Sequence, residues 1–377
     1  GANYYGMMAS SQRVHNLFAP LVANKQIMLH NVVSYQDASL VCDTDVEVVV
    51  PKEKGRIANQ LSVIILSKRM LKQWYVAEGT NILYHYGYPS WVDYPILRKA
   101  RKLGYRVVFD IVENIYAYGN KNASLLHRLK NYTSLRLATR MGEMGDRCFG
   151  ISDTLVTLCG QLTQNRIPVH LLPISVDVEK VITYKHTKEN ANAVTVYYGG
   201  SFGQKDGIAY LIEGFTKAWK QDKRLHLNLT GKIAKESAGE LEQLVQRSEA
   251  KEAIHYLGCL PTEKYYERMA DADILCMLRV NTVFANSGFP FKLGEYLASG
   301  NAVIATRTSD VEKYLTDQEN AILIPPEDAN QIADAILSLA NDEAFRRRVG
   351  KVGLTVAREN FDAPKVAEYL YNQLMNL

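Results

Sequence analysis

From residue 194 onward, short apolar runs alternate with stretches of helical spacing, and this alternation restricts the fold more than any other feature of the chain. Residues 194–198 are a strand-like run that ends in Gly199-Gly200. Residues 207–219 then place Ile208, Leu211, Ile212, Phe215 and Trp219 at helical intervals. Leu225, Leu227 and Leu229 alternate and stop at Thr230-Gly231. Further strands are predicted over 255–257, 274–278, 302–306 and 321–324, with helices over 265–270, 291–298, 332–339 and 345–358 between and after them. Strands joined through helices run parallel, and a parallel sheet needs both faces covered, so the class is α/β. The loops that leave these strands carry glycine at 199–200, 231, 258 and 288. In such sheets ligands bind outside the carboxyl ends of the strands.

The first half shows the same alternation less cleanly. Strands are predicted over 82–86, 106–109, 149–152 and 170–173, and helices over 12–24 and 96–103. Residues 25–60 fit neither period. Residues 1–11 are too polar and glycine-rich to supply the strand that usually opens such a sheet, so a missing first strand is expected. A polar stretch at 185–192 marks the boundary, giving two domains over 1–180 and 181–360 and a closing helix over 361–377.

Composition limits the classes open to the chain. It is 47% hydrophobic and 22% charged, as in ordinary globular proteins. No apolar run is long enough to span a membrane as a helix and no signal peptide is legible. Cys42, Cys148, Cys159, Cys259 and Cys276 are dispersed without metal-site spacing, which argues for reduced cysteines and a cytoplasmic setting. Residues 1–185 carry 22 Lys and Arg against 14 Asp and Glu, whereas residues 186–377 carry 22 against 26. The first half is therefore the one expected to meet an anionic surface or substrate. A basic stretch over 124–141 is a candidate for peripheral membrane contact, although Leu125 and Leu129 share the arc of Arg128, Arg136 and Arg140, so a packed helix is an equal alternative. No basic and aromatic stripe of a nucleic-acid reader is present.

The segment Asn286-Ser-Gly-Phe-Pro-Phe-Lys-Leu-Gly-Glu-Tyr-Leu-Ala-Ser-Gly300 carries the chemistry. Lys292 falls in the first turn of a helix, where the macrodipole disfavours a cation unless an anion shares that end. Glu295, three residues on, faces the same side. A cation at a helix N-terminus suits a diphosphate, and a carboxylate one turn deeper suits a diol such as ribose.

This segment closely resembles the donor-site motif of GT-B glycosyltransferases, most like family 4 of the retaining enzymes. Tyr198-Gly-Gly-Ser-Phe-Gly-Gln-Lys-Asp-Gly207 is similar to the family's diphosphate loop, His255-Tyr-Leu-Gly258 to a segment lining the base pocket, and Gly6–Leu21 to a loop approaching the donor phosphates. The resemblance implies two Rossmann-like domains whose parallel sheets face a central cleft, with residues 361–377 a terminal helix that crosses back to the first domain. It also implies a donor site made of Gly6, Gly200, Ser201, Lys205, Gly231, Leu257, Gly258, Asn286, Ser287, Gly288, Phe289, Pro290, Phe291, Lys292 and Glu295. In it Glu295 would hold the ribose hydroxyls and Lys292, catalytic by charge stabilisation, would neutralise the diphosphate. Three positions depart from the family pattern. Ser287 stands where a sugar-binding glutamate is usual, Ser201 or Phe202 where an arginine is usual, and Asp206 where a lysine is usual. In the first domain Val112 falls at or beside the place of a family histidine, leaving Asp110 and Glu113 as polar groups that can orient an acceptor hydroxyl.

The expected function is retaining transfer of a sugar from a nucleotide-diphosphate donor to a hydroxyl of a glycan or lipid-linked acceptor, of the bacterial surface-polysaccharide type. No cofactor or catalytic metal is expected. The alternatives are a catalytically inactive binding or scaffold subunit, motivated by Ser287 and the weakened basic loop, and a sugar-nucleotide epimerase of the same fold.

Overall fold

The computed structural model describes residues 9–32, 46–49, 56–117, 125–184, 192–203, 205–233 and 235–377. The chain divides into two compact units. One ends at Pro173 and takes back Ala363–Leu377; the other runs from Ile174 to Asp362. The first described element is the helix Ala9–Ala23, and residues 1–8 of the polar stretch 1–11 lie outside the described residues.

In the first unit, β1 (Leu29–Val32) and β2 (Val46–Val49) pair in parallel as a small separate sheet. β3 (Ile82–Tyr86), β4 (Arg106–Ile111), β5 (Arg147–Gly150) and β6 (Val169–Leu171) form a parallel sheet in sequence order. Val107 to Ile111 of β4 are all buried, so this strand lies at the centre of its core. The helices Ala9–Ala23 and Ala363–Met375 pack together over it. Leu17, Phe18 and Leu21 meet Val366, Leu370 and Leu374 above Val108, Phe149 and Leu172. Burying one such side chain contributes about 1.5–3 kcal/mol. The helix Arg56–Gln73 was not anticipated, and its outer side explains why: Ile57, Leu61 and Ile65 are exposed there. Apolar residues on both sides of a helix erase its periodic signal.

The second unit contains β7 (Val194–Gly199), β8 (Leu225–Thr230), β9 (Ile254–Tyr256), β10 (Ile274–Met277), β11 (Ala302–Thr306) and β12 (Ile322–Ile324). Their order in the sheet is β12-β11-β10-β7-β8-β9 and every pairing is parallel. The strand order therefore reverses between β7 and β10, which is where a doubly wound sheet opens a crevice at its carboxyl edge. Helices Ile208–Gln221 and Ala329–Asn341 pack on each other, burying Leu211, Phe215, Ile332 and Ile336 with Val196 and Leu227 of the sheet. The predicted strands and helices of this half all appear, with ends moved by a few residues. Among the described residues no helix is long and apolar enough to cross a membrane.

Candidate functional site

The carboxyl ends of β7 and β8 set the backbone of the site. Gly200 N–H donates to Thr230 O at 2.9 Å, and Gly231 N–H donates to Gly258 O at 2.9 Å. Gly231 has φ +136°, and a Cβ there would lie 1.7 Å from Gly200 O. Only glycine permits both that dihedral and that approach. Gly200 is crowded by side chains instead, because a Cβ on it would stand 2.5 Å from Lys292 Nζ. The lysine thus uses the space that a side chain at 200 would fill.

Lys292 and Glu295 reach the site from the helix Phe291–Ala298. Its N-cap is Pro290, which offers no side-chain cap, and the Leu293 N–H donates to Pro290 O at 3.1 Å. Tyr296 anchors this helix to the sheet, accepting from Gly199 N–H at 2.8 Å and donating to Gly199 O at 3.2 Å. Lys292 Nζ donates to the Tyr198 hydroxyl at 2.9 Å, lies 4.1 Å from the centre of that ring, and pairs with Asp206 Oδ1 at 3.3 Å. The Lys292 side chain is 18% exposed and that of Asp206 only 3%. Burial lowers the Lys292 pKa, and Asp206 offsets this only in part. For Asp206, burial acts upward, but Lys292, the Gly203 N–H and Arg279 outweigh it and hold the carboxyl below its ordinary value.

Glu295 is fixed by two consecutive tyrosines of the helix Thr262–Ala270. The Tyr265 hydroxyl donates to Oε2 at 3.1 Å and the Tyr266 hydroxyl to Oε1 at 2.9 Å. Burial raises the Glu295 pKa, while the two phenols and Lys292 act the other way. Each carboxylate oxygen keeps a further lone pair, so the group can still accept from a diol. Residues 200–203 and 205–207 lead from β7 to the helix Ile208–Gln221. Val280 N–H donates to Lys205 O and Gly207 N–H to Leu278 O, tying the loop to the end of β10. Lys205 Nζ lies 5.0 Å from the centre of the Phe284 ring.

The other predicted donor residues separate into two groups. Gly200, Ser201, Lys205, Gly231, Leu257 and Gly258 stand on the loops after β7, β8 and β9. Gly288, Phe289, Pro290 and Phe291 lead into the Lys292 helix, with Phe289 buried against Tyr314 and Phe361. Asn286 spends its side chain locally, donating to Asn281 Oδ1 at 2.8 Å and accepting from Ser309 N–H at 3.2 Å. Ser287 is 2% exposed and its hydroxyl donates back to Val283 O at 2.6 Å. Gly6 lies outside the described residues.

In the first unit, Asp110 is withdrawn from any surface. Its two oxygens accept from Arg13 Nε at 2.7 Å and Nη2 at 2.8 Å, and both side chains are fully buried. Arg13 also donates to Leu172 O and Pro173 O. Burial acts to lower the Arg13 pKa, yet Asp110 raises it above the ordinary value. Asp110 thus serves as the counterion of a buried arginine, not as a group presented to an acceptor. Glu113, on the loop after β4, is half-buried. On the basic stretch, Arg128, Arg136 and Arg140 are exposed around the helix Leu125–Ala138, and the Leu125 and Leu129 side chains lie outside the description.

Sequence reasoning missed Tyr198, Tyr265, Tyr266 and Tyr296. Aromatic residues in strand and helix patterns read as core, and nothing in the spacing shows that their hydroxyls converge on Lys292, Glu295 and Gly199. It also missed Arg279, which is buried, donates to Ala285 O and helps hold Asp206 ionised. Among the described residues no three His, Cys, Asp or Glu side chains gather as a metal site requires.

Residues 193–342 match the sequence model of the family described as glycosyl transferases group 1. Over 168 residues the chain is 26% identical to the phosphatidyl-myo-inositol mannosyltransferase of Mycobacterium leprae, a stretch covering 44% of this chain and 42% of that protein. The match thus spans less than half the length of this curated relative. The backbone resembles that of HepE from Anabaena in complex with UDP and glucose, with a TM-score of 0.73, 14% identity, and 96% and 95% of the two chains covered. It also resembles a trehalose-6-phosphate synthase studied for glycosyltransfer with retention, with a TM-score of 0.72, 12% identity, and 97% and 96% covered. The fold is GT-B.

Proposed function

We propose, with the GT-B fold and the group 1 match as premise, that the chain transfers a sugar from a nucleotide-diphosphate donor to a hydroxyl acceptor. One observation carries the reading: Lys292 and Glu295 project from one turn of one helix at the strand-order reversal, each fixed by tyrosine hydroxyls. Lys292 and the N-terminus of its helix would take the diphosphate, stabilising the charge that develops as it departs. Glu295 would accept from the ribose hydroxyls, and the loops of Gly200, Gly231 and Gly258 would let the nucleotide approach the backbone. The relatives that bind UDP and glucose or transfer mannose support a hexosyl donor, and the synthase studied for retention supports a retaining course. A glycan or lipid-linked acceptor on the cytoplasmic side of a membrane completes the proposal, with contact through the basic first half of the chain.

No metal has a part in this reading, since the charge of the diphosphate is met by lysine. Excess EDTA is therefore expected to leave turnover unchanged, and a loss restored by a divalent cation would count against it. The direct test replaces Lys292 with Ala and Glu295 with Gln and measures nucleotide binding by calorimetry and turnover with a matched donor. Both variants should fold, and turnover should fall about 10²-fold or more. Unchanged nucleotide affinity in both would remove the assignment. Ser287, in the place of a sugar-binding glutamate and donating its hydroxyl to Val283 O, favours a second reading, a binding subunit without transfer. Slow release of free nucleotide from the donor by the wild type, lost in Lys292→Ala, would exclude it.

A further inference from the structure

The candidate diphosphate seat already holds an anion, the side chain of Asp206. Its Oδ1 lies 3.3 Å from Lys292 Nζ, and its Oδ2 accepts the Gly203 N–H at 3.0 Å and lies 3.4 Å from Ser201 Oγ. Asp206 stands just before the helix Ile208–Gln221, whose cap Gly207 offers no side chain. Its backbone bridges to that of Arg279. An ammonium, a glycine-loop N–H, a hydroxyl and a helix N-terminus are the donor types that a phosphate oxygen accepts. Here one carboxylate collects the first three, 3% exposed and just ahead of the fourth.

The physical reason follows from burial. An ammonium with so little solvent is costly without a counter-charge, and Asp206 supplies one. An arriving diphosphate offers Lys292 more negative charge at the same place. The carboxylate and the phosphate cannot both remain there, because like charges at contact distance repel strongly where water is scarce. The loop around Gly203 is the element that must give way.

We propose that Asp206 is a resident counter-anion that holds Lys292 in the nucleotide-free protein and competes with the donor diphosphate for it. The inference rests on the diphosphate reading given above. It assigns Asp206 a tuning role, weakening the hold on nucleoside diphosphates and so hastening departure of the product. A residue that merely braced the loop would do the reverse, since its loss would loosen the seat and weaken binding.

The test is calorimetric titration of inorganic pyrophosphate, which reports on the seat whatever the base, into the wild type, Asp206→Asn, Asp206→Glu and Lys292→Ala. Asp206→Asn keeps an acceptor for Gly203 and removes the charge; it should bind roughly tenfold more tightly than the wild type. Asp206→Glu keeps the charge and should bind like the wild type, and Lys292→Ala should bind more weakly than either. If Asp206→Asn does not fold, Asp206→Ser takes its place under the same expectation. Equal or weaker binding by the neutral variant, with Lys292→Ala still impaired, overturns the counter-anion and leaves the diphosphate reading standing. A gain shared by the Glu variant also overturns it, because loop loosening would then be the cause. Pyrophosphate affinity that is the same in the wild type and Lys292→Ala removes the diphosphate reading, and this inference with it.

Discussion

At the scale of single residues, the site depends on groups that leave room as much as on groups that make contact. Gly231 and Gly200 touch backbone to backbone, and Lys292 occupies the hollow that Gly200 leaves. Gly231→Ala is therefore expected to be more damaging than an ordinary surface change. Strain at φ +136° adds to the clash with Gly200 O, giving a loss on the order of 2–3 kcal/mol in chemical denaturation together with weakened nucleotide binding. In the other unit the Arg13–Asp110 pair makes a different demand. Asp110→Asn strands a buried guanidinium and should cost about 3 kcal/mol. Replacing both residues with apolar ones of similar size should cost clearly less than the sum of the single changes, which a double-mutant cycle would measure. Part of this was legible. Lys292 and Glu295 stand out in the sequence because a cation in a first helical turn needs a reason. Asp110 was misread, since a carboxylate at a strand end looks the same whether it faces a cleft or an arginine 97 positions earlier in the chain.

At the scale of elements, the helix Thr262–Ala270 is the support of the carboxylate. Tyr265 and Tyr266 are neighbours in sequence, yet both reach Glu295. Changing both to Phe keeps the packing and leaves a buried carboxylate without its donors. Its pKa should rise further, and nucleotide affinity should fall most on the acid side of the raised pKa, recovering as pH rises through it and the group ionises. Affinity that fell equally at every pH would argue against this. A second element shows the opposite sign. Asp93, at the start of the helix Tyr94–Lys102, accepts from Ser90 N–H at 2.8 Å and Ser90 Oγ at 2.6 Å and lies 3.4 Å from His85 Nε2. Burial acts to raise its pKa, but His85 and Ser90 hold it well below the ordinary carboxylate range. A depressed carboxyl contributes stability above its unfolded pKa, and that stability is lost as pH falls through it toward the folded value. Asp93→Asn should therefore unfold with a flatter acid dependence below about pH 4 than the wild type. Strands and helices of the second unit were readable because both faces of its sheet are covered by helices with clean apolar stripes, as Leu211, Phe215, Ile332 and Ile336 show. The helix Arg56–Gln73 was not, because Ile57, Leu61 and Ile65 point outward.

At the scale of the whole molecule, binding should reveal itself locally. A nucleoside diphosphate seated as proposed would slow amide exchange in residues 199–203, 256–266 and 288–297, and raise the apparent stability of the unit that contains them. Protection confined to other segments would contradict the placement. Alternation in the second half is plain in the sequence; the return of the chain to its first unit leaves no local mark and was expected only from the family resemblance, with which the placement of Ala363–Leu377 in the first unit agrees. That return has a consequence for how the protein is made. Residues 174–362 are contiguous, so the second unit can close as soon as they leave the ribosome. The first unit is translated earlier and completed later. Leu17, Phe18 and Leu21 can settle on Val108, Phe149 and Leu172, but they stay partly uncovered until Val366, Leu370 and Leu374 have been added. During that interval the nascent chain presents a sticky apolar face for longer than its length alone would require, which makes the oldest part of the polypeptide the natural client of a chaperone.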